Sequence, residues 1–230
     1  MRLRHLPLGL AAVAASAAFA TPAVAAPVPA STSRTATTLT QTLTSLKLLT
    51  SVTRLVGVGA CGAQATSAVF RPWGDLAQYA LAPSGDLSST SAWTLNAAAQ
   101  GVAGTSPKSG GTALSLADGG QAISPVFCVA IDHPTVRLFA RNTGPASARL
   151  NVSVLFQGLD GRLHELPIGS VAGGAGWSPT PVMLMLTSVT SVLAPGGATA
   201  VAVRFSATGL GAGSGRWQLD DLYIDPFKGH

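Results

Sequence analysis

Gly215-Arg216-Trp217-Gln218-Leu219-Asp220-Asp221-Leu222-Tyr223-Ile224-Asp225-Pro226-Phe227 is the stretch whose reading decides the fold. Aliphatic, aromatic and β-branched residues fill it, Gly215 opens it and Pro226 closes it, so it reads as a strand. Side chains alternate along a strand. Strict alternation places Asp220 with Gln218, Leu222 and Ile224, and Asp221 with Trp217, Leu219 and Tyr223. Both faces are largely apolar. Burying an ionised carboxylate without a partner is costly, so a cation, a metal or several donors should stand beside at least one aspartate.

Working outward, the chain from Cys61 onward repeats this texture. Short apolar runs alternate with Gly, Pro, Asp and Asn punctuation, and no long amphipathic helix appears. Ala65 to Phe70 reads as a first strand, and Pro72-Trp73-Gly74-Asp75 and Pro83-Ser84-Gly85-Asp86 as turns. Thr135 to Arg141 alternates cleanly, with Val136, Leu138 and Ala140 on one face and Arg137, Phe139 and Arg141 on the other. Leu159-Asp160-Gly161-Arg162 is a hairpin turn into Leu163 to Val171, and Val201, Val203 and Phe205 share a face of a later strand. Many short strands with regularly spaced turns indicate an all-β protein, an antiparallel sandwich or barrel.

The N-terminal part is different. Residues 1–25 carry Arg2, Arg4 and His5, then an apolar run from Leu8 to Ala20, then Ala23-Val24-Ala25. This is the pattern of a secretory signal peptide, and the expected location is extracellular, with association to the cell envelope. No later segment is long and apolar enough for a membrane helix, so no stable insertion is expected after cleavage. Residues 26–60 are rich in Thr, Ser, Ala and Leu. Leu39, Leu43, Leu46, Leu49, Val52 and Val56 fall three or four apart. A flexible linker and a weak amphipathic helix are both compatible with that pattern. Residues 61–230 form the β-sandwich domain.

The net charge of +5 arises outside the domain, since residues 61–230 hold nine basic residues and all nine acidic ones. The arginines are scattered singly among strands, so nucleic acid is not an expected partner. Cys61 and Cys128 are the two cysteines, and an even count in an exported chain points to a disulfide between them.

Three stretches carry a resemblance. Phe70 to Asp75 (Phe-x-Pro-Trp-Gly-Asp), Ser124 to Val129 (Ser-Pro-x-x-Cys-Val) and Trp217 to Asp221 (Trp-Gln-x-Asp-Asp) resemble a group of exported actinobacterial domains of unassigned function. Leu81 to Ser88, Trp93 and Gly101 to Gly104, with the Asp-Asp-hydrophobic strand, resemble the carbohydrate-binding-module or galactose-binding-like jelly rolls. The second resemblance implies a jelly-roll sandwich in which a calcium joins the first strand to the last. Asp86, Ser88 and Asp220 are the candidate ligands here. Leu87-Ser88 stands where those modules carry Phe-Glu, which weakens such a site. A salt bridge to Asp221 from Arg137, Arg141 or Arg204 is the alternative.

Enzyme chemistry finds little support. Glu165 is the only glutamate, His133, His164 and His230 show no metal-ligand spacing, and no nucleophile elbow or phosphate loop occurs. No catalytic residue and no certain cofactor is assigned. The expected function is a secreted, non-catalytic binding module for a glycan or another envelope component, with Trp177, Trp93 and Tyr223 as candidate ligand-binding residues. The alternative is a structural or protein-interaction domain at the cell surface, suggested by the low charge content.

Overall fold

The computed structural model describes residues 65–103, 105, 107, 111–130, 135–158, 160–185 and 198–224. The expected signal peptide, the 26–60 segment and Cys61 lie outside the described residues. The strands, numbered in chain order, form two antiparallel sheets. The first sheet holds β1 (Thr66–Ser67), β2 (Tyr79–Leu81), β4 (Ala99–Ala103), β5 (Thr112–Leu116), β8 (Thr135–Asn142), β11 (Ser178–Pro179), β12 (Met183–Leu184) and β14 (Trp217–Ile224). The second holds β3 (Thr94–Leu95), β6 (Gln121–Ile123), β7 (Phe127–Ala130), β9 (Arg149–Gln157), β10 (Leu163–Val171) and β13 (Ala198–Thr208). From β5 onward the chain passes repeatedly from one sheet to the other, which is the topology of a jelly-roll β-sandwich.

Alternation explains the core. Val136, Leu138 and Ala140 of β8 face Val152, Val154, Val201, Val203 and Phe205 of the second sheet in one apolar cluster, as their spacing predicts. The opening stretch is the central strand of the first sheet. It pairs with β8 along one side, and with β5 and then β2 along the other. All eight residues of β14 are buried.

Its alternation is broken, which corrects the expected faces. Asp220 pairs with Phe139 and Tyr223 with Arg137, so Asp221 and Leu222 together stand opposite Leu138 alone. This is a β-bulge, with Asp221 at φ 50° in the left-handed region that aspartate tolerates better than most residues. Trp217 and Leu219 face the core before it, and Leu222 and Ile224 after it. Asp220 therefore shares the outer face with Gln218 and Tyr223, not with Leu222 and Ile224. The bulge also presents the Leu222 backbone to the preceding turn. Its N–H donates to Gly85 O at 2.9 Å and its carbonyl accepts Ala82 N–H at 2.9 Å. A Cβ on Gly85 would lie 2.6 Å from Leu222 O, so this close approach needs glycine.

One other expectation changes in detail. The expected first strand, Ala65 to Phe70, shortens to β1, because Pro72 enters a 3-10 turn, η1 (Arg71–Trp73), closed by Gly74 at φ 81°. Residues 121–130 are divided into β6 and β7 around Pro125, which lacks an N–H for the ladder. Ser124 bridges the gap. Its N–H donates to Val203 O, and its hydroxyl accepts Val203 N–H, each at 2.9 Å. The hairpin before β10 forms as expected, with Gly161 at φ 72°. Asp160 accepts the Arg162 N–H there and bonds the His164 ring, and those contacts hold its carboxyl below the ordinary carboxylate range.

Candidate functional site

The outer face of the first sheet carries the polar and aromatic side chains that the core excludes. Along β8 these are Arg137, Phe139 and Arg141, alternating with core residues, and along β14 they are Gln218, Asp220 and Tyr223. Two arrangements grow from this face, one at each end of the β8–β14 pair.

At the first end the turn that carries η1 folds over the sheet. Phe70, fully buried, packs edge-on against Tyr79 at 4.8 Å and Tyr223 at 5.5 Å between ring centroids, and Phe139 lies at 5.3 Å. Arg137 closes this cluster. Its guanidinium stands 4.4 Å from the Phe70 ring centroid, its Nε donates to Thr180 O at 2.8 Å and its Nη1 meets Asp75 Oδ2. The same Asp75 oxygen accepts the Tyr79 hydroxyl at 2.7 Å, while Oδ1 accepts Ala77 N–H at 3.0 Å. Burial pushes the Asp75 carboxyl up, but the Tyr79 hydroxyl, the Ala77 amide and the Arg137 charge outweigh it and hold it below its ordinary value. The Phe-x-Pro-Trp-Gly-Asp stretch and the Asp-Asp strand are thus brought into one structure. Its buried aromatics and closed ion pair serve packing, and Tyr223, expected as a ligand residue, belongs to that packing at 7% exposure.

At the other end the register sets five side chains in a line across the sheet. Gln100 of β4 is opposite Ser115 of β5, Ser115 is opposite Gln218 of β14, and Gln218 is opposite Arg141 of β8. Arg141 Nε donates to Gln218 Oε1 at 2.5 Å. Its guanidinium lies 5.0 Å from the centroid of Trp177, the residue just before β11. Gln100 is exposed, Arg141 and Trp177 are half-buried, and Ser115 and Gln218 between them are buried, at 5% and 9% exposure. Amide, hydroxyl, amide, guanidinium and indole in sequence offer donors, acceptors and an apolar ring edge along a sheet. Such a set can exchange hydrogen bonds with a polar group and pack an apolar ring against the indole.

The other expected residues sit elsewhere. Trp93 is a core residue at 7% exposure. Its ring lies 6.2 Å from Phe205 and its Nε1–H donates to Ser84 O at 3.0 Å, so it offers no free face for stacking. Asp86 Oδ1 accepts the Ser88 N–H and hydroxyl, at 3.3 and 3.1 Å, within an exposed turn. Asp220 is buried, and its Oδ1 accepts the Asp221 N–H at 2.8 Å. Among the described residues no three His, Cys, Asp or Glu side chains gather into a group that could hold a metal ion. The arginine alternative for Asp221 is also corrected: Arg137 goes to Asp75, Arg141 to Gln218 and Arg204 to Glu165. Cys128, on β7, carries no free thiol.

Gln100, Ser115 and Gln218 were not singled out by sequence reasoning. Each is an ordinary polar residue on its own strand, and only the register aligns them.

No family model matches the chain, and no curated protein matches it. Solved structures that it is similar to include carbohydrate-binding modules and glycoside hydrolases. One is a tandem of two family 22 modules from a Paenibacillus barcinonensis xylanase, at 12% identity and TM-score 0.45, covering 74% of this chain and 47% of that one. A second is a Clostridium thermocellum xylanase fragment joining a family 22 module to its catalytic module, with xylohexaose, at 13% identity and TM-score 0.41, covering 58% of this chain and 26% of that one. A third is the family 11 module of a Clostridium thermocellum cellulosomal cellulase, at 8% identity and TM-score 0.40, covering 72% of this chain and 97% of that one. The chain thus spans less than half the length of the first two. At these identities the likeness concerns the fold alone.

Proposed function

We propose that this protein is an exported, non-catalytic glycan-binding module whose ligand lies across the outer face of the first sheet, along Gln100, Ser115, Gln218, Arg141 and Trp177. The observation that carries this reading is the registered polar row ending on the Arg141–Trp177 stack. Saccharides present alternating hydroxyl edges and apolar ring faces, which amides and an indole complement. Affinity electrophoresis of the full chain in gels containing soluble cell-wall polysaccharides tests it. Retention on at least one polymer is expected, and Trp177→Ala should weaken it by about tenfold, the equivalent of about 1.4 kcal/mol. No retention, or retention indifferent to Trp177, overturns it.

Export agrees with the signal-peptide pattern of residues 1–25, and residues 26–60 would then tether the domain to the envelope. In that compartment Cys61 pairs with Cys128, and mass spectrometry of the unreduced, digested protein would find the linked peptides. We further propose that the Asp220-Asp221 strand is held without calcium, because the candidate ligands are bonded within the chain; EDTA should leave the unfolding midpoint in place.

A second reading, a protein-interaction domain, has its own observation. Trp73, Leu76, Val182 and Leu184 are large apolar side chains at 52%, 72%, 48% and 55% exposure. Cross-linking of intact cells, with and without Trp73→Ser, separates it from the first: a specific adduct that depends on Trp73 favours an interaction domain.

A further inference from the structure

We propose that the outer-face site prefers acidic saccharides, those carrying a uronate carboxylate, and that Arg141 is the specificity-determining residue; this rests on the glycan-binding reading above. Three arginines project from the middle of the sheets, and they differ in how their charge is met. Arg137 meets Asp75, and Arg204 meets Glu165 across the second sheet. Arg141 meets an amide, Gln218 Oε1, through Nε alone. Among the described residues no carboxylate pairs with it. Its two terminal nitrogens are left to whatever lies on the Trp177 side of the row.

The geometry suits a planar anion. The guanidinium is oriented at both ends, by the Nε bond to Gln218 and by the Trp177 ring 5.0 Å away, so little side-chain freedom remains to be lost on binding. A fork of this kind takes a carboxylate through two parallel N–H bonds, which are stronger than bonds to neutral hydroxyls. Asp220, the nearest carboxylate along β14, lies two residues from Gln218 and opposite Phe139 rather than Arg141, and is buried. The neighbouring residues in the row, Ser115 and Gln100, are uncharged, so no fixed negative group in the row would repel a uronate.

The test uses the full chain and three polymers: polygalacturonate, its methyl ester, and a neutral xylan. Isothermal titration at moderate salt should give at least about tenfold tighter binding to polygalacturonate than to its methyl ester, since esterification removes the carboxylate charge and its bidentate acceptor geometry while keeping the sugar backbone. Arg141→Gln should abolish that ratio, and Arg141→Lys should retain part of it, which separates charge from simple misfolding. Arg149→Gln, at the exposed first position of β9, where the guanidinium bonds Ala146 O and Ala148 O, should leave the ratio unchanged. Equal binding to the acid and its ester, with Trp177→Ala still weakening both, overturns the acidic preference and leaves the glycan reading standing. Loss of the ratio in Arg149→Gln assigns it to diffuse charge and overturns the role of Arg141. No binding to any of the three, with none to other polysaccharides, removes both.

Discussion

Removing the Asp75 carboxylate tests the account of how the η1 turn is fastened to the sheet. In Asp75→Ala, Arg137 keeps its bond to Thr180 O and its place over Phe70 but loses its counterion, while Tyr79 loses its hydroxyl's acceptor. Breaking one partner out of a fully buried pair costs about 3–5 kcal/mol. Side-chain exposure here is 11% for Arg137 and 22% for Asp75, so solvent screens part of the pair. A cost of about 2–3 kcal/mol follows. For a domain of this size the midpoint moves by roughly 2–4 °C per kcal/mol, giving a fall of about 4–12 °C.

The same pair sets a pH dependence. The folded-state carboxyl is held below its ordinary value of 3.8, so the unfolded chain takes up the proton first. Stability from this group is present above the unfolded value and is lost as pH falls through the folded one. Thermal unfolding by circular dichroism between pH 7 and pH 2.5 should show this acid-side loss, with a smaller loss in Asp75→Ala. A double-mutant cycle with Arg137→Ala should give a coupling of at least about 1 kcal/mol. Coupling below about 0.5 kcal/mol, or an acid limb unchanged by Asp75→Ala, would refute the reasoning, and the η1 turn would then be held by its aromatics alone.

Gly85→Ala should destabilise the domain by about 1–3 kcal/mol in urea titration, since the new methyl would press on Leu222 O and disturb two backbone bonds; a change under about 0.5 kcal/mol would show that the turn can move away. Ser124→Ala should cost about 1–3 kcal/mol, because it strips the buried Val203 N–H of its acceptor while changing little volume, and hydrogen exchange at Val203 should accelerate. Reduction under native conditions should lower the unfolding midpoint, since the proposed Cys61–Cys128 link closes a long loop worth roughly 4–5 kcal/mol in the chain-entropy account; an unchanged midpoint would argue against that link.

What was legible in the sequence was what a single strand can express. The alternation of β8 put Arg137, Phe139 and Arg141 on one face, and the Asp160-Gly161 turn announced a hairpin. The same rule failed in β14, because alternation presumes that every residue occupies one step of the ladder. Asp221 does not, and the one local signal was its residue type, since aspartate enters left-handed backbone more readily than the Leu or Tyr around it. Trp177 follows Gly173-Gly174-Ala175-Gly176, yet packing against Arg141 leaves it half-buried. The burial of Trp93 was not legible, because a tryptophan near a turn carries no mark of which way the strand will face. The polar row was invisible for a deeper reason: it joins four strands and a loop through registers that Gln100, Ser115, Arg141 and Gln218 express only when folded.

The central place of β14 also has a consequence for how the protein is made. The strand that β8, β5 and β2 all need as a neighbour is the last of the described strands to leave the ribosome or an export channel. Until residues 217–224 emerge, the first sheet is three separate pieces, β1–β2, β4–β5 and β8 with β11 and β12, each with an unsatisfied backbone edge. The first sheet therefore closes in a single late step, whereas every strand of the second sheet is already made by then.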